Sequence, residues 1–509
     1  MKLREIVQAS SRLSSTRSRL EKMALLGEVL SRAPVDEVPL VVSCLSGRLP
    51  RGRLGIGYAT LQEMRRIEGA REPSLELPDL DAIFRELEDV SGAGSGAARL
   101  DILRGLYRRA TKEEQDFLTR LLLEDLRQGS LEGVMLEAIA RGAEAPPEAV
   151  RREFMLSGDL GLVAGTALSD GASGLERFQL ELFRPIQPML AQTAESVASA
   201  LETLGTAAFE TKLDGARIQV HRAGDEVRIF TRNLNDVTDR LPGIVELVRS
   251  LPAAALVLDG EAMGVDEDEL PRVFQDTMSA FGRSREGPDG FAGAALQSRF
   301  FDLLHLDGDD LIDRPLTERL AALERVAGRW RVPGVVTTDP AAAQRVLDES
   351  LATGHEGVMV KDATSTYDAG RRGGAWRKVK PVHTLDLVVL AVEWGSGRRR
   401  GWLSNLHLGA RDPASGDLVM VGKTFKGLTD ELLAWQTERF LALETSRDDW
   451  VVQVRPEQVV EVALDGVQQS TRYPGGVALR FARVRRYRAD KTAAEADTID
   501  AVRSLLPGG

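Results

Sequence analysis

Hydrophobic residues follow three different patterns along the chain, and each pattern predicts a different kind of secondary structure. Up to about residue 175, apolar positions recur at helical spacing, as in residues 131–139, which predicts amphipathic helices. From Phe209 onward, short apolar or alternating runs such as 255–265 predict strands, with helical patterns such as 269–281 between them. After His383 the pattern is mostly that of strands, with a single helical segment.

Segments of small residues and prolines mark the boundaries between these stretches. Residues 165–174 are small and polar, and residues 183–188 (Phe-Arg-Pro-Ile-Gln-Pro) are typical of an extended linker. We therefore predict a multidomain chain, with an all-α domain over residues 1–180, an α+β domain over 181–383 and a small β-barrel domain over 384–509.

Composition and cysteine usage narrow the class of protein. Of the 509 residues, 43% are hydrophobic and 28% are charged, as in soluble globular chains. No apolar run reaches the ~18 residues of a membrane-spanning helix, and the N-terminus lacks the apolar core of a signal peptide. The single cysteine, Cys44, excludes a disulfide framework and a multi-cysteine zinc site, and it favours a reducing cytoplasm.

The net charge of −11 alone argues mildly against a nucleic-acid partner. The two signs are segregated, however. Basic residues gather at 371–380, 398–400 and 480–491, whereas acidic residues gather at 86–89 and 266–269. This separation permits local binding of phosphate on an acidic protein.

Residues 210–217 (Glu-Thr-Lys-Leu-Asp-Gly-Ala-Arg) place one lysine in a turn between two predicted strands. Alternation puts Glu210 and Lys212 on one face of the first strand, and Arg217 returns beside the lysine on the second. Leu213-Asp-Gly215 turns the chain, and Gly215 tolerates a positive φ in this turn. An amine attacks phosphorus only when uncharged, and neighbouring cations would lower the lysine pKa from its reference value of ~10.4. Lys212 is therefore a candidate nucleophile, although a surface lysine beside a turn fits this octapeptide about equally well.

Carboxylates on two further predicted strands are candidate metal ligands. Asp259 and Glu261 share one face of an otherwise apolar strand, and Glu356 precedes another. A buried carboxylate requires a cationic partner, and Mg²⁺ is commonly held by carboxylates together with substrate phosphates. Each of these acids, taken alone, also fits a solvated strand end.

Aromatic and basic residues supply candidate contacts for a base and its phosphates. Phe300 and Phe301 point to opposite faces of one predicted strand, so only one of them can stack on a purine. Lys378 and Lys380 share a face of another strand and could form a wall of phosphate contacts. Arg232, at the end of a strand, could bind a phosphate or a ribose.

The order of these motifs carries more information than any one of them. Lys-x-Asp-Gly-x-Arg, Asp-Gly-Glu, Phe-Asp-Leu-Leu, Glu-Gly-Val-Met-Val-Lys, Trp-x-Lys-x-Lys and Arg-x-Asp-Lys follow one another between Lys212 and Lys491. The series resembles the ATP-dependent DNA ligases of the lysyl-nucleotidyltransferase superfamily. A weaker likeness to the DNA-binding region of bacterial and archaeal members extends over residues 47–50, 125–129 and 188–191.

The resemblance implies a role for each matching residue. Lys212 would be the nucleophile that becomes adenylated, and Phe301 would stack on adenine. The other implied ATP contacts are Glu210, Arg217, Arg232, Glu261, Arg372, Lys378 and Lys380. Glu261 and Glu356 would hold the metal ion, Mg²⁺ or Mn²⁺. The barrel would be an OB-fold that orients the pyrophosphate leaving group through Arg483, Arg488, Asp490 and Lys491.

The resemblance also implies a reaction and a partner. The lysine would take AMP from ATP, pass it to the 5′-phosphate of a nick, and the 3′-hydroxyl would then displace it. Nicked double-stranded DNA would be gripped by the helical domain, in a monomer with no stable protein partner and no membrane. The expected location is the bacterial cytoplasm, in association with the nucleoid. Whether the enzyme serves replication, repair or a backup role stays open.

Other members of the superfamily are the nearest alternatives. An RNA ligase or an mRNA-capping guanylyltransferase uses a related lysine turn but generally lacks the long helical region found here. An NAD-dependent ligase carries a cysteine-rich zinc module, which a chain with only Cys44 cannot form. A catalytically inactive DNA-binding scaffold is the alternative from another class, and covalent labelling with a nucleotide would separate it from the enzymes.

Overall fold

The computed structural model describes residues 1–49, 56–92, 94–126, 128, 132–265, 296–368 and 373–506. The helix predicted over residues 269–281 lies outside the described residues, as do parts of the motifs at 47–50 and 125–129.

Amphipathic helices form the chain up to residue 175, in agreement with the predicted periodicity. Their apolar faces meet in one core that includes Leu26, Val41, Phe84 and Phe117. Side-chain caps such as Thr111, which accepts the N–H of Glu114, satisfy backbone donors where helices begin. The helices are Leu3–Ser15, Arg19–Arg32, Val38–Ser46, Tyr58–Met64, Leu77–Asp89, Ser95–Arg109, Lys112–Leu122, Glu132–Gly142, Pro147–Ser157 and Leu160–Leu175.

Two five-stranded sheets with flanking helices form the middle of the chain, as expected for an α+β region. The strands of the first sheet are β1 (Gln192–Thr193), β2 (Ala207–Thr211), β8 (Gly334–Thr337), β9 (Val358–Asp362) and β10 (Trp376–Val379), in the order β1-β10-β9-β2-β8. The strands of the second sheet are β3 (Ala216–Ala223), β4 (Glu226–Thr231), β5 (Ala255–Gly264), β6 (Leu296–Leu306) and β7 (Asp309–Asp310), in the order β4-β3-β5-β6-β7. The helices are Val197–Leu204, Pro242–Arg249, Leu316–Ala327 and Pro340–Ala352.

Strands dominate the last part of the chain, which confirms the change of pattern after His383. The strands are β11 (His383–Trp394), β12 (Leu403–Arg411), β13 (Leu418–Thr424), β14 (Glu444–Arg447), β15 (Val451–Val454), β16 (Val459–Leu464), β17 (Gly466–Gln469), β18 (Val477–Arg480) and β19 (Arg483–Arg488). Strand β11 pairs with β12, β15 and β16, and β17 and β18 form a separate hairpin. The seven-stranded sheet built around β11 packs with the helices Asp430–Ala442 and Ile499–Arg503 around a core of its own.

The helical region and the middle region share a hydrophobic cluster. Met155 and Leu156, at the end of helix Pro147–Ser157, belong to the same buried cluster as Tyr367 and Trp376. Because Trp376 lies on β10, this cluster reaches the first sheet of the middle region. The helical region is therefore packed against the strands and is not joined to them only by a linker.

Polar contacts reinforce the same junction. The N–H of Gln187 donates to the carbonyl of Met155 at 2.9 Å, and the guanidinium of Arg152 contacts both oxygens of Asp313 at 2.7 Å.

No helix in the described ranges is both long and apolar enough to cross a bilayer.

Candidate active site

A cavity of about 660 Å³ is lined from both five-stranded sheets of the middle region. Thr211 and Lys361 reach it from the first sheet, and Arg217, Glu261 and Phe301 reach it from the second. Because β2 runs directly into β3 through residues 212–215, the chain passes from one sheet to the other at the wall of this cavity.

Lys212 lies directly after β2, where the backbone pairing with the β9 segment continues. Its N–H donates to the carbonyl of Gly357 at 2.8 Å, and its carbonyl accepts the N–H of Glu356 at 3.1 Å. Both residues are thereby fixed at the same end of two neighbouring strands. The side chains meet as well, since Lys212 Nζ donates to Glu356 Oε2.

Three cations surround the carboxylate of Glu356. Besides Lys212, Lys380 Nζ lies 2.8 Å from Oε2, and the guanidinium of Arg480 lies 3.6 Å from Oε1. Burial alone would raise the pKa of Glu356, but the two lysines outweigh it and lower the pKa to about 2. Glu356 is therefore ionised at neutral pH.

Gly215 does not use the positive φ that a glycine tolerates, and close packing is what requires a glycine here. A Cβ at this position would lie 2.3 Å from the carbonyl oxygen of Ala262 and 2.9 Å from Cγ of Glu261. The turn after Lys212 therefore presses directly onto β5, where only a residue without a side chain fits.

Arg217 is held by a buried polar network behind the cavity. Its guanidinium contacts Asp259 through two bonds, Nε to Oδ1 at 3.0 Å and Nη2 to Oδ2 at 2.6 Å. Its Nη1 donates to the carbonyl of Met189 at 2.6 Å. The hydroxyl of Tyr367 donates to Asp259 Oδ2 at 2.7 Å and accepts the N–H of Met189 at 3.1 Å. Burial by itself lowers the pKa of Arg217, but the negative charge of Asp259 outweighs it and raises the pKa.

Glu261 faces the same cavity, opposite Arg217 in the pairing of β3 with β5. No residue of the described chain forms a hydrogen bond with its carboxylate that would offset burial. Burial therefore raises the pKa of Glu261 to about 7, although Lys212 and Arg217 oppose the shift. The site thus has two carboxylates whose pKa values are shifted in opposite directions, that of Glu261 in the cavity wall and that of Glu356 beside Lys212.

Aromatic rings and a buried ion pair form one end of the cavity. Phe301 lines the cavity, whereas Phe300 is fully buried in the core below, so Phe301 is the ring that a ligand can reach. Trp376 stands edge-on to Phe301, with ring centroids 6.0 Å apart and an interplanar angle of 80°. Glu210 and Lys361 are both almost completely buried beside these rings, and they form an ion pair at 2.5 Å.

Cations line the remaining walls. Lys378 lies on β10 and Arg232 follows β4, and both line the cavity. The side chain of Arg232 is solvent-exposed, which leaves it available to a charged ligand at the cavity rim.

The last part of the chain reaches this site through Arg480. Its Nη1 lies 3.0 Å from Asp214 Oδ2 in the turn after Lys212, in addition to the contact with Glu356. Arg480 ends β18, so the β17–β18 hairpin is the element that brings the C-terminal region to the cavity.

Comparison with known proteins shows the family. The model of the ATP dependent DNA ligase domain matches residues 188–380, that of the ATP dependent DNA ligase C terminal region matches 399–491, and that of the DNA ligase N terminus matches 58–140. The probable DNA ligase of Saccharopolyspora erythraea is 56% identical over 99% of this chain and 98% of its own. The chain belongs to the ATP-dependent DNA ligases. The probable DNA ligase of Rhodococcus opacus is also similar, with 55% identity over 99% of both chains.

A solved structure has the same overall fold as this ligase. Pmar-Lig_PreS3 matches with a TM-score of 0.62 at 21% sequence identity, covering 95% of this chain and 99% of that chain. At this identity the likeness shows the fold alone. The prediction of an ATP-dependent DNA ligase is confirmed by the family models and the full-length relatives.

The structure of this ligase brings most of the predicted site residues together. Those that line the cavity are Glu210, Lys212, Arg217, Arg232, Glu261, Phe301 and Lys378. Glu356 joins them through its ion pair with Lys212, and Lys380 joins them through its own ion pair with Glu356. Arg372 lies outside the described residues. The chemical role of each residue stays a prediction.

The predicted pyrophosphate contacts of the barrel do not meet the cavity in this arrangement of the ligase. Arg488 and Lys491 both bind Asp386, at 2.9 and 2.6 Å, and Arg488 also binds Asp490 at 2.7 Å. Arg483 pairs with Asp465 at 3.3 Å, one step removed from Lys380. The four residues therefore form their contacts within the C-terminal region. Arg480 is instead the arginine that contacts Asp214 and Glu356 beside Lys212.

Sequence reasoning missed Lys361, Trp376, Tyr367 and Arg480 as individual site residues. Lys361 offered a usable signal, because a lysine between the valine and aspartate of an apolar strand is buried only with an anionic partner. Arg480 offered none, since nothing in the basic run at 480–491 distinguishes the arginine that crosses to Asp214.

Proposed function

We propose that this ligase loads AMP onto Lys212 Nζ and uses it to seal nicks in duplex DNA, with the cavity residues in defined roles. The observation that carries the proposal is the position of Lys212 at the wall of a cavity that combines an aromatic face, a buried acceptor and several cations. Those three features match the base, its amino group and the phosphates of ATP.

The base end of the cavity suits adenine. Both carboxylate oxygens of Glu210 are buried and accept no hydrogen bond within the described chain, so this carboxylate has acceptor capacity for the exocyclic amino group of the base. Phe301 offers its face for stacking. Arg232 at the rim and Lys378 on the wall are placed to bind ribose or phosphate.

In the first step the neutral amine of Lys212 attacks the α-phosphorus and a nitrogen–phosphorus bond forms, while the phosphorus–oxygen bond to pyrophosphate breaks and pyrophosphate leaves with its electron pair. The one proton that Nζ then loses passes to solvent water or to the departing pyrophosphate. Glu356 orients the amine but does not keep that proton, because its pKa of about 2 leaves it ionised. Lys380 and Lys378 stabilise negative charge that develops on the phosphates. AMP then moves to the 5′-phosphate of the nick, and the 3′-hydroxyl attacks that phosphorus and releases AMP.

Glu261 fits a divalent cation, since its cavity-facing carboxylate lacks a hydrogen-bonding partner within the described chain and would gain one from Mg²⁺ or Mn²⁺. Among the described residues no cluster of three acidic or histidine side chains forms a closed metal site. This agrees with Mg²⁺, which commonly uses one or two carboxylates together with substrate phosphates. When bound, the ion would neutralise phosphate charge.

The surrounding regions complete the proposal. The helical domain, residues 1–180, would grip the DNA backbone, residues 181–383 would carry the nucleotide chemistry, and residues 384–509 would close on the nick as an OB-fold. A monomer is sufficient for this clamp. The substrate would place the enzyme at the nucleoid in the cytoplasm.

Covalent labelling tests the proposal. Wild type incubated with labelled ATP should form one adduct on Lys212, whereas labelled GTP and NAD should give little or none. Lys212→Ala should form no adduct, and Lys378→Ala should form the same adduct more slowly. Sealing of nicked DNA but not of nicked RNA completes the test, and AMP found on another side chain would refute it.

A further inference from the structure

The buried lysine of β9, Lys361, lies where it can control what the base end of the cavity recognises. Its Nζ is 2.5 Å from Glu210 Oε2, and both side chains are 1% exposed. In such surroundings each charge offsets the desolvation cost of the other. The pair lies in the cavity wall beside Phe301 and Trp376.

Lys361 is fixed from three sides. Nζ donates to the carbonyl of Phe301 at 2.9 Å, and it lies 4.6 Å from the ring centroid of Phe301 and 4.5 Å from that of Trp376. The two rings are nearly perpendicular, so the ammonium sits in the corner between their faces. Because its position is fixed, the ammonium of Lys361 attracts the Glu210 carboxylate from one defined direction.

Lys361 approaches Glu210 from the side of Oε2, the oxygen in the ion pair. Both carboxylate oxygens are buried without a hydrogen-bond partner in the described chain, so Oε1 has neither a hydrogen bond nor the direct ion-pair contact. An ionised carboxylate only accepts hydrogen bonds. The end of the cavity beside Phe301 therefore presents an acceptor, which suits a 6-aminopurine and opposes a 6-oxopurine.

We propose that Lys361 is a specificity-determining positioning residue, which turns Glu210 so that the cavity accepts a 6-aminopurine and rejects a 6-oxopurine. This inference rests on the proposed adenylation of Lys212. Lys361 acts on the base only through Glu210 and does not take part in the phosphoryl transfer.

Glu210→Gln provides the decisive test, because glutamine has the same shape as glutamate but carries one acceptor oxygen and one donor NH₂ group in place of two acceptor oxygens. The ammonium of Lys361 has only donors, so it would hold the amide oxygen and turn the amide NH₂ toward the cavity. The cavity would then present a donor, and preference should shift from the 6-amino to the 6-oxo base. In Glu210→Gln/Lys361→Met nothing orients the amide, and the preference should disappear.

The probes are ATP and ITP. Their bases differ at position 6, which is amino in ATP and oxo in ITP, and at the adjacent N1, which carries a hydrogen only in ITP. Neither base has the 2-amino group of GTP. The readout is the ratio of their rates of adduct formation on Lys212. Wild type should favour ATP by about tenfold or more, the worth of one hydrogen bond to a charged group. Glu210→Gln should favour ITP, and the double variant should give a ratio near one.

Lys378→Met is the matched control, since it removes a cation from the cavity wall while leaving the Glu210–Lys361 pair in place. It should slow both nucleotides and keep the wild-type ratio. If a variant forms too little adduct, the ratio of the equilibrium binding constants for ATP and ITP measures the preference instead.

The inference would be overturned if Glu210→Gln kept the preference for ATP, or if the single and double variants shared one ratio. A folded variant that binds neither nucleotide would also overturn it, because the pair would then serve binding and not choice. If the double variant does not fold, Glu210→Gln decides alone. Absence of any adduct in wild type would instead refute the proposed function.

Discussion

Replacing Tyr367 by phenylalanine should release the backbone segment at Met189 that closes one side of the cavity. The Tyr367 hydroxyl accepts the Met189 N–H at 3.1 Å and donates to Asp259 at 2.7 Å. Met189 is 1% exposed, so its N–H would be left buried without an acceptor. The ring itself stays in place against Trp376, which confines the change to the hydrogen bonds.

An unsatisfied buried donor costs about 1–3 kcal/mol, which corresponds to roughly 5- to 140-fold faster exchange of that amide if it exchanges through local opening. Native-state hydrogen exchange, resolved by fragmentation of the peptide around residues 186–190, measures this directly. The neighbouring amides serve as internal controls, because Ile186 donates to Gln219 and Gln187 donates to Met155.

The expected result is a loss of protection at Met189 alone, with a weaker affinity for ATP because Met189 also accepts a bond from Arg217. Unchanged protection at Met189 would show that the hydroxyl is not its acceptor in solution. An equal loss at Ile186 and Gln187 would show that the substitution loosens the whole segment, and the assignment to one hydrogen bond would be refuted.

Gly215→Ala should abolish adduct formation with the fold retained, because the new Cβ would lie 2.3 Å from the Ala262 carbonyl oxygen. Gly243→Ala is the control and should be neutral, since the space around Gly243 is open. Equal activity of the two variants would contradict the close packing at Gly215. Glu153 is 4% exposed and burial raises its pKa to about 7, so wild-type stability should fall as pH rises from the usual glutamate value toward 7. Glu153→Gln should therefore become more stable than wild type over that pH range, by at most about 3 kcal/mol, and a difference that shrinks with rising pH would refute this. Arg152→Ala should cost less than about 1 kcal/mol in thermal unfolding, because the Arg152–Asp313 pair is solvent-exposed; a larger loss would mean that the pair holds the two regions together.

The turn at Lys212 shows how far the sequence could predict the site. Alternation along a strand was enough to place Glu210 and Lys212 on one face, and both line the cavity. The reason for Gly215 was not accessible in the same way, because it depends on how closely β5 approaches the turn. Distances between elements follow from packing, which a local pattern does not contain.

The C-terminal region shows the opposite limit. Alternation was enough to predict most of its longer strands, and helical spacing its long helix, but the short strands β14 and β15 and the partners of its arginines were not predictable. Arg480 and Arg488 lie in the same basic run, yet one crosses to Asp214 and the other closes on Asp386. Which arginine faces the site depends on how the C-terminal region is placed against the middle region. The local sequence around either arginine does not contain that information.

The shared hydrophobic cluster of Met155, Leu156, Tyr367 and Trp376 bears on how such enzymes can be recombined. A chimera that grafts a foreign helical module in front of residue 181 would remove Met155 and Leu156 from this cluster and leave its remaining apolar residues without part of their packing. Designers who exchange these modules should therefore transplant the end of helix Pro147–Ser157 together with the catalytic part, and choose the crossover point upstream of it.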